Sequence, residues 1–126
     1  MSFQHAVAWI DHAEAHVIHF NPETSTTAVI RSHAGNAHLH TKSAGGTGRV
    51  AENAQYFDAV ADDLKQVAEI LLVGPGTEKL ELMKHLLKHQ PAIAERVMSV
   101  ETVDHPTDGQ LLKHARKYFL RADKML

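Results

Sequence analysis

Residues 70–89, ILLVGPGTEKLELMKHLLKH, and residues 97–119, VMSVETVDHPTDGQLLKHARKYF, decide the fold. Each begins with a short run rich in β-branched and aliphatic residues. A polar corner containing Gly or Pro follows, and then a stretch with the apolar spacing of an amphipathic helix. This strand–corner–helix pattern, repeated in succession, builds a parallel sheet covered by helices. Such sheets carry their sites at the corners that follow the strands.

In the first unit, residues 69–74 are apolar throughout, which predicts a strand in the interior of the sheet. Gly74-Pro75-Gly76 turns the chain, and Gly76 or Thr77 caps the next helix. Leu80, Met83, Leu86 and Leu87 are its expected buried face. Pro91 opens a short helical turn, PAIAERV. In the second unit, residues 97–103 are the fifth strand. Thr107-Asp108-Gly109-Gln110 fits a capping box, with Thr107 at the N-cap and Gln110 at the third helical position. Asp108 then lies in the first turn, where the helix dipole favours an anion. Leu111, Leu112, Ala115 and Phe119 form the last apolar stripe, and residues 121–126 are expected to fray.

Upstream, residues 6–11 (AVAWID) and 15–20 (AHVIHF) are strands joined by a tight turn, with Asp11 placed to accept a backbone N–H two residues on. Pro22 marks the next turn, and residues 25–32 (STTAVIRS) form a third strand, completing an antiparallel meander. Residues 33–52 are a long Gly- and His-rich loop, with a short strand extension at 38–42. A helix over 53–67 follows, with Asn53 as N-cap and Phe57, Val60, Ala61, Leu64 and Val67 on one face. The order β-β-β-α-β-α-β-α gives an α/β domain: a mixed five-stranded sheet, three antiparallel strands then two parallel ones, with helices on its faces. This is the ribonuclease H-like topology, and residues 1–126 make one such domain.

Bulk properties narrow the function classes. Hydrophobic residues are 44% and charged residues 22%, as in ordinary globular proteins. The absence of cysteine excludes disulfides, thiolate metal sites and cysteine nucleophiles. No apolar run approaches the roughly 18–20 residues that span a bilayer, and the N-terminus lacks the pattern of a signal peptide. A cytoplasmic protein without membrane partners is the expectation. The formal charge of −2 gives no global attraction to nucleic acid. The unusual count is eleven histidines, whose full protonation carries the charge from −2 to +9.

Four groups of residues are candidates for chemistry. The loop segment Lys42-Ser43-Ala44-Gly45-Gly46-Thr47-Gly48-Arg49 is flexible in composition and locally basic, with His38 and His40 just upstream. Lys42, Arg49, His38 and His40 suit RNA phosphates, and Gly45 and Gly46 permit close approach. Against this stands a plain connector. Asp11, Asp104 and Asp108 follow strands, and three convergent carboxylates could hold divalent ions for phosphodiester cleavage. Each also has a local explanation, in a turn, an Asp-His-Pro corner and a first helical turn. His12, His16 and His19 straddle the first hairpin, and His85 and His89 share a helix face. None belongs to a zinc signature, so no metal site is assigned and solvated surface residues are the simpler reading. The GPGT corner lacks the endings of a P-loop or a dinucleotide site, and its glycines are read as turn formers.

The runs LLVGPGTEKLELMKHL and VETVDHPTDGQLLKHARKYF, with the opening AWIDHAEAHVIHF, resemble the small bacterial relatives of the archaeo-eukaryotic peptide-chain release factors, often called translational machinery proteins. The resemblance covers nearly the whole chain. It implies the middle domain of the release factor, a ribonuclease H-like fold without nuclease activity. There, a long loop after the antiparallel strands carries a Gly-Gly-Gln motif that enters the peptidyl transferase centre and promotes peptidyl-tRNA hydrolysis. Gly45-Gly46-Thr47 stands where that motif would be. Thr47 departs from it, because threonine has no amide, is shorter than glutamine and is stiff at χ1. The resemblance thus implies a ribosome or tRNA partner, no cofactor, and no stop-codon-dependent hydrolysis by this chain alone. The alternatives are a metal-dependent nuclease using Asp11, Asp104 and Asp108, and a protein-interaction module with no nucleic-acid role.

Overall fold

The computed structural model describes residues 3–32 and 53–124, with side chains as far as residue 121. Three strands come first: β1 (His5–Ile10), β2 (Glu14–Phe20) and β3 (Ser25–Arg31). Helix α1 spans 53–63. Then follow β4 (Glu69–Gly74), α2 (Glu78–His89), the short α3 (Pro91–Ala94), β5 (Val97–Thr102) and α4 (Asp108–Lys124). The strands lie in the order β3-β2-β1-β4-β5. β1 pairs antiparallel with β2, and β2 antiparallel with β3, while β1 with β4 and β4 with β5 are parallel. The expected ribonuclease H-like mixed sheet is therefore the observed one.

Both faces of the central strands are buried, as their near-continuous apolar sequence requires. Alternation along β1 divides the core in two. Ala6, Ala8 and Ile10 point to one face, where they meet Ala15, Val17, Ile70 and Leu72, under Phe57 and Val60 of α1, Leu64 just beyond it, and Leu82 and Leu86 of α2. The alanines are small, so two helices can lie close to the sheet there. Val7 and Trp9 point to the other face with Ile18, Phe20, Leu71 and Val73, covered by Leu111, Ala115 and Phe119 of α4. Large side chains on this face leave room for one helix. Burying a Leu, Ile or Phe side chain stabilises the fold by about 1.5–3 kcal/mol.

Local differences from the sequence expectation have physical causes. The stripe of α1 is buried as expected, yet the helix ends at 63. Beyond it, Leu64 N–H donates to Ala61 O and Val67 N–H to Leu64 O, a tighter turn that swings the chain into β4. Arg96 Nη1 donates to Lys65 O at 2.6 Å and to Val67 O at 3.3 Å, satisfying carbonyls at that end. Asn53 is itself helical rather than the capping residue. On α2 the buried face is rotated from the one expected. Leu82 and Leu86 are fully buried, whereas Leu80 and Leu87 are 48% and 60% exposed. In β5, Val97 and Ser99 face the adjacent Ile70 and Leu71, so Met98 is the extra residue of a bulge.

Candidate functional site at the corner end of the sheet

The corners after β1, β4 and β5 lie at one end of the sheet, as do the end of β3 and Tyr56 near the start of α1. Asp11 Oδ1 accepts N–H bonds from Ala13 at 2.8 Å and Glu14 at 2.9 Å, the side-chain-closed turn its position implies. Ser32, just past β3, donates its N–H to Ala13 O at 2.8 Å. Near the start of α1, the Tyr56 hydroxyl donates to Asp11 O at 2.9 Å. Burial, reinforced by the charges of Asp11, Glu78 and Glu14, pushes the Tyr56 phenol well above its ordinary range, so it stays a donor. Ser32 and Tyr56, on either side of residues 33–52 in the sequence, thus both bond to the turn at 11–13. His38, His40, Lys42, Gly45, Gly46, Thr47 and Arg49, and the strand expected at 38–42, lie outside the described residues.

The corner after β4 is tied to the same turn. His12 Nδ1 lies 2.9 Å from Glu78 Oε1, linking the hairpin to the start of α2. Burial raises the Glu78 carboxyl above its ordinary value, although His12 opposes this, and nearby Glu81 and Asp11 add to the rise. The corner after β5 closes the other side. Buried Trp9 donates its indole N–H to Asp104 O at 2.7 Å. His105 lies over the Trp9 ring with centroids 5.1 Å apart.

His16 is the centre of this polar rim. It stands directly opposite Trp9 in the β1–β2 register and meets that ring edge-on. Its Nε2 lies 2.6 Å from Glu14 Oε2, and its Nδ1 lies 2.9 Å from Asp108 Oδ1. A carboxylate at each nitrogen favours the imidazolium form, in which both nitrogens carry protons. Burial alone would lower the His16 pKa. The hydrogen bond to Glu14 and the charge and hydrogen bond of Asp108 outweigh it, and the value is raised. His105 behaves alike: its Nδ1 is 2.9 Å from Asp104 Oδ1 and its Nε2 is 3.7 Å from Asp11 Oδ2. Arg31 reaches Glu14 Oε1 at 3.4 Å. A cleft of about 190 Å³ lies between Trp9, His16, His105 and Asp108.

Asp11, Asp104 and Asp108 are therefore all at this end of the sheet, each engaged by a histidine. Among the described residues, no three His, Asp or Glu side chains gather closely enough to hold a metal ion. Hydrogen-bonded imidazoles between carboxylates anchor corners by charge-assisted bonds.

Reading the histidines as solvated surface residues underestimates them. His5 pairs with Glu69, His19 with Asp63, His85 with Asp58 and His114 with Glu101, in addition to the pairs of His12, His16 and His105. His85 and His89 sit with ring centroids 4.7 Å apart. One part of this was legible: Glu14 and His16 are two apart on a strand and must share a face. The partnership with Asp108, distant in sequence, was not.

The sheet order and the two crossovers define a ribonuclease H-like α/β domain, and the same fold is that of the middle domain of release-factor-like translation proteins. The chain is similar in structure to Pelota of Archaeoglobus fulgidus, with a TM-score of 0.63 at 13% identity over 93% of this chain. It is similar to the archaeal translation termination factor aRF1, with a TM-score of 0.59 at 10% identity over 88% of the chain. A third likeness is to Dom34 of S. cerevisiae, a translation termination-like factor involved in RNA quality control pathways and interacting with Hbs1, with a TM-score of 0.52 at 12% identity over 96%. The chain spans 32%, 32% and 39% of those three proteins. By sequence it matches no family model and no curated protein. No helix among the described residues is long and apolar enough to cross a membrane.

Proposed function

We propose that this chain is a cytoplasmic, translation-associated protein that contacts the ribosome or tRNA through its Gly-Gly-Thr loop, without stop-codon-dependent hydrolysis of its own. The observation that carries the reading is the fold shared with Pelota, aRF1 and Dom34. The residues that flank the loop in the sequence support it: Ser32 and Tyr56 both bond to the Asp11 turn at this end of the sheet. Lys42, Arg49, His38 and His40 meet phosphates, and Gly45 and Gly46 allow the backbone to come close to RNA. Thr47 lacks the amide that would hold a water as glutamine does.

Ribosome co-sedimentation of the wild type and a Gly45→Ala/Gly46→Ala variant tests this. The wild type travels with ribosomes at low salt and is released as salt rises, and the variant travels less. A wild type that stays in the supernatant at every salt concentration overturns the reading.

A further inference from the structure

Helix α4 carries a second charged surface, on its side away from the sheet. Its buried face is Leu111, Ala115 and Phe119. Lys113, Lys117 and Arg121 are exposed and fall four residues apart, so they stand in one row on the opposite side. The rise of ~1.5 Å per residue makes the row about 12 Å long, with a cation every ~6 Å.

Most other cations among the described residues are paired, Lys88 of α2 being an isolated exception. Arg31 meets Glu14, Lys65 meets Asp62 and Lys84 meets Glu81. Arg96 is spent on the carbonyls of Lys65 and Val67, and Arg116 on those of Asn21 and Thr24. Lys79 bonds Gly76 O. Lys113, Lys117 and Arg121 have no hydrogen bond or ion pair among the described residues. Charge is also segregated along the sequence. Residues 108–124 hold five of the thirteen Lys and Arg (Lys113, Arg116, Lys117, Arg121 and Lys124) but only Asp108 and Asp123 of the fifteen acids. A chain with net charge −2 therefore carries a cluster of unpaired positive charge, among its described residues, on this helix.

We propose that this ridge is a phosphate-backbone docking surface for structured RNA, separate from the loop. A rigid rod with evenly repeated, unneutralised cations complements a polymer with evenly repeated anions. Such contacts position the protein without reading sequence. The choice of RNA over another polyanion rests on the translation reading; the ridge itself rests on the geometry. Burial of the opposite helix face fixes the row, and no described side chain pairs with it.

A fluorescein-labelled RNA hairpin titrated with the protein by anisotropy at two salt concentrations is the experiment. Three phosphate contacts make wild-type binding about 20- to 40-fold weaker over a fourfold rise in salt. The Lys113→Gln/Lys117→Gln/Arg121→Gln variant, with an unchanged melting temperature, is expected to lose most of that salt dependence and to bind weakly at low salt. The Gly45→Ala/Gly46→Ala variant serves as a control and keeps the ridge-dependent slope. A triple variant with wild-type affinity and slope overturns the proposal. So does a wild type that ignores the hairpin at low salt yet binds polyglutamate. Failure of ribosome co-sedimentation, with hairpin binding lost only in the ridge variant, would remove the translation reading and leave the ridge.

Discussion

The corner after β4 and the corner after β5 arise from the same sequence pattern and are held in opposite ways. The β4 corner is set by the backbone. Gly74 lies so close to β1 that a Cβ there would collide with the Ile10 carbonyl oxygen. Thr77 occupies the N-cap position of α2 but its hydroxyl makes no capping bond. The β5 corner is set by side chains. Thr107 Oγ1 accepts the Gln110 N–H at 3.1 Å, and Gln110 Oε1 accepts the Thr107 N–H at 2.9 Å, a complete capping box. The difference follows from position. β4 lies between two strands, so its corner is packed against neighbours, whereas β5 is an edge and its corner must close itself.

Gly74→Ala is the sharpest way to break the first corner. The obstacle is a backbone atom of the central strand, which cannot rotate away as a side chain would. We expect a loss of about 3 kcal/mol or more in urea unfolding. Gly76→Ala, where a Cβ meets nothing within 4 Å, is the control and changes little. Equal midpoints for the two variants would mean that the close approach to Ile10 does not matter.

The asymmetry also explains what the sequence could reveal. Capping of α4 was readable because Thr107 and Gln110 are three residues apart, and local bonds leave local patterns. The strands, their order and the stripes of α1 and α4 were readable for the same reason, as periodicity is local. The orientation of α2 was not. Four leucines, Leu80, Leu82, Leu86 and Leu87, offer two faces, and packing under β1 and β4 selects Leu82 and Leu86. Gly74 looked like a turn former because its real constraint comes from Ile10, 64 positions away. The pairing of His16 with Asp108 and of His105 with Asp11 was hidden likewise, since only the fold brings the corners together.

A pair of threonine substitutions measures the same contrast more gently. Thr107→Ala removes a side-chain cap and is expected to cost about 1 kcal/mol. Thr77→Ala removes a hydroxyl that caps nothing, so a change within about 0.5 kcal/mol is expected. Chemical denaturation of both variants decides it, and a larger loss for Thr77→Ala would reverse the assignment of roles.

The smallest effect separates the corners by pH. Both carry a group with a raised pKa, so each contributes stability that is fully present below its unfolded value and lost as pH rises through its folded one. For Glu78 that loss begins in the acid range, above the ordinary value of 4.5. Its ionised form is disfavoured by burial, and a Glu78→Gln variant gains on the wild type as pH rises from there toward neutrality. For His16 the loss begins higher, above the ordinary value of 6.5, because Glu14 and Asp108 favour the imidazolium. The wild type therefore gains on His16→Gln as pH falls from the mildly alkaline range to about 6.5. Urea midpoints of the three proteins across both ranges give two steps at different pH. A single step common to both variants would show that the corners titrate as one unit, joined through the Asp11 turn between them.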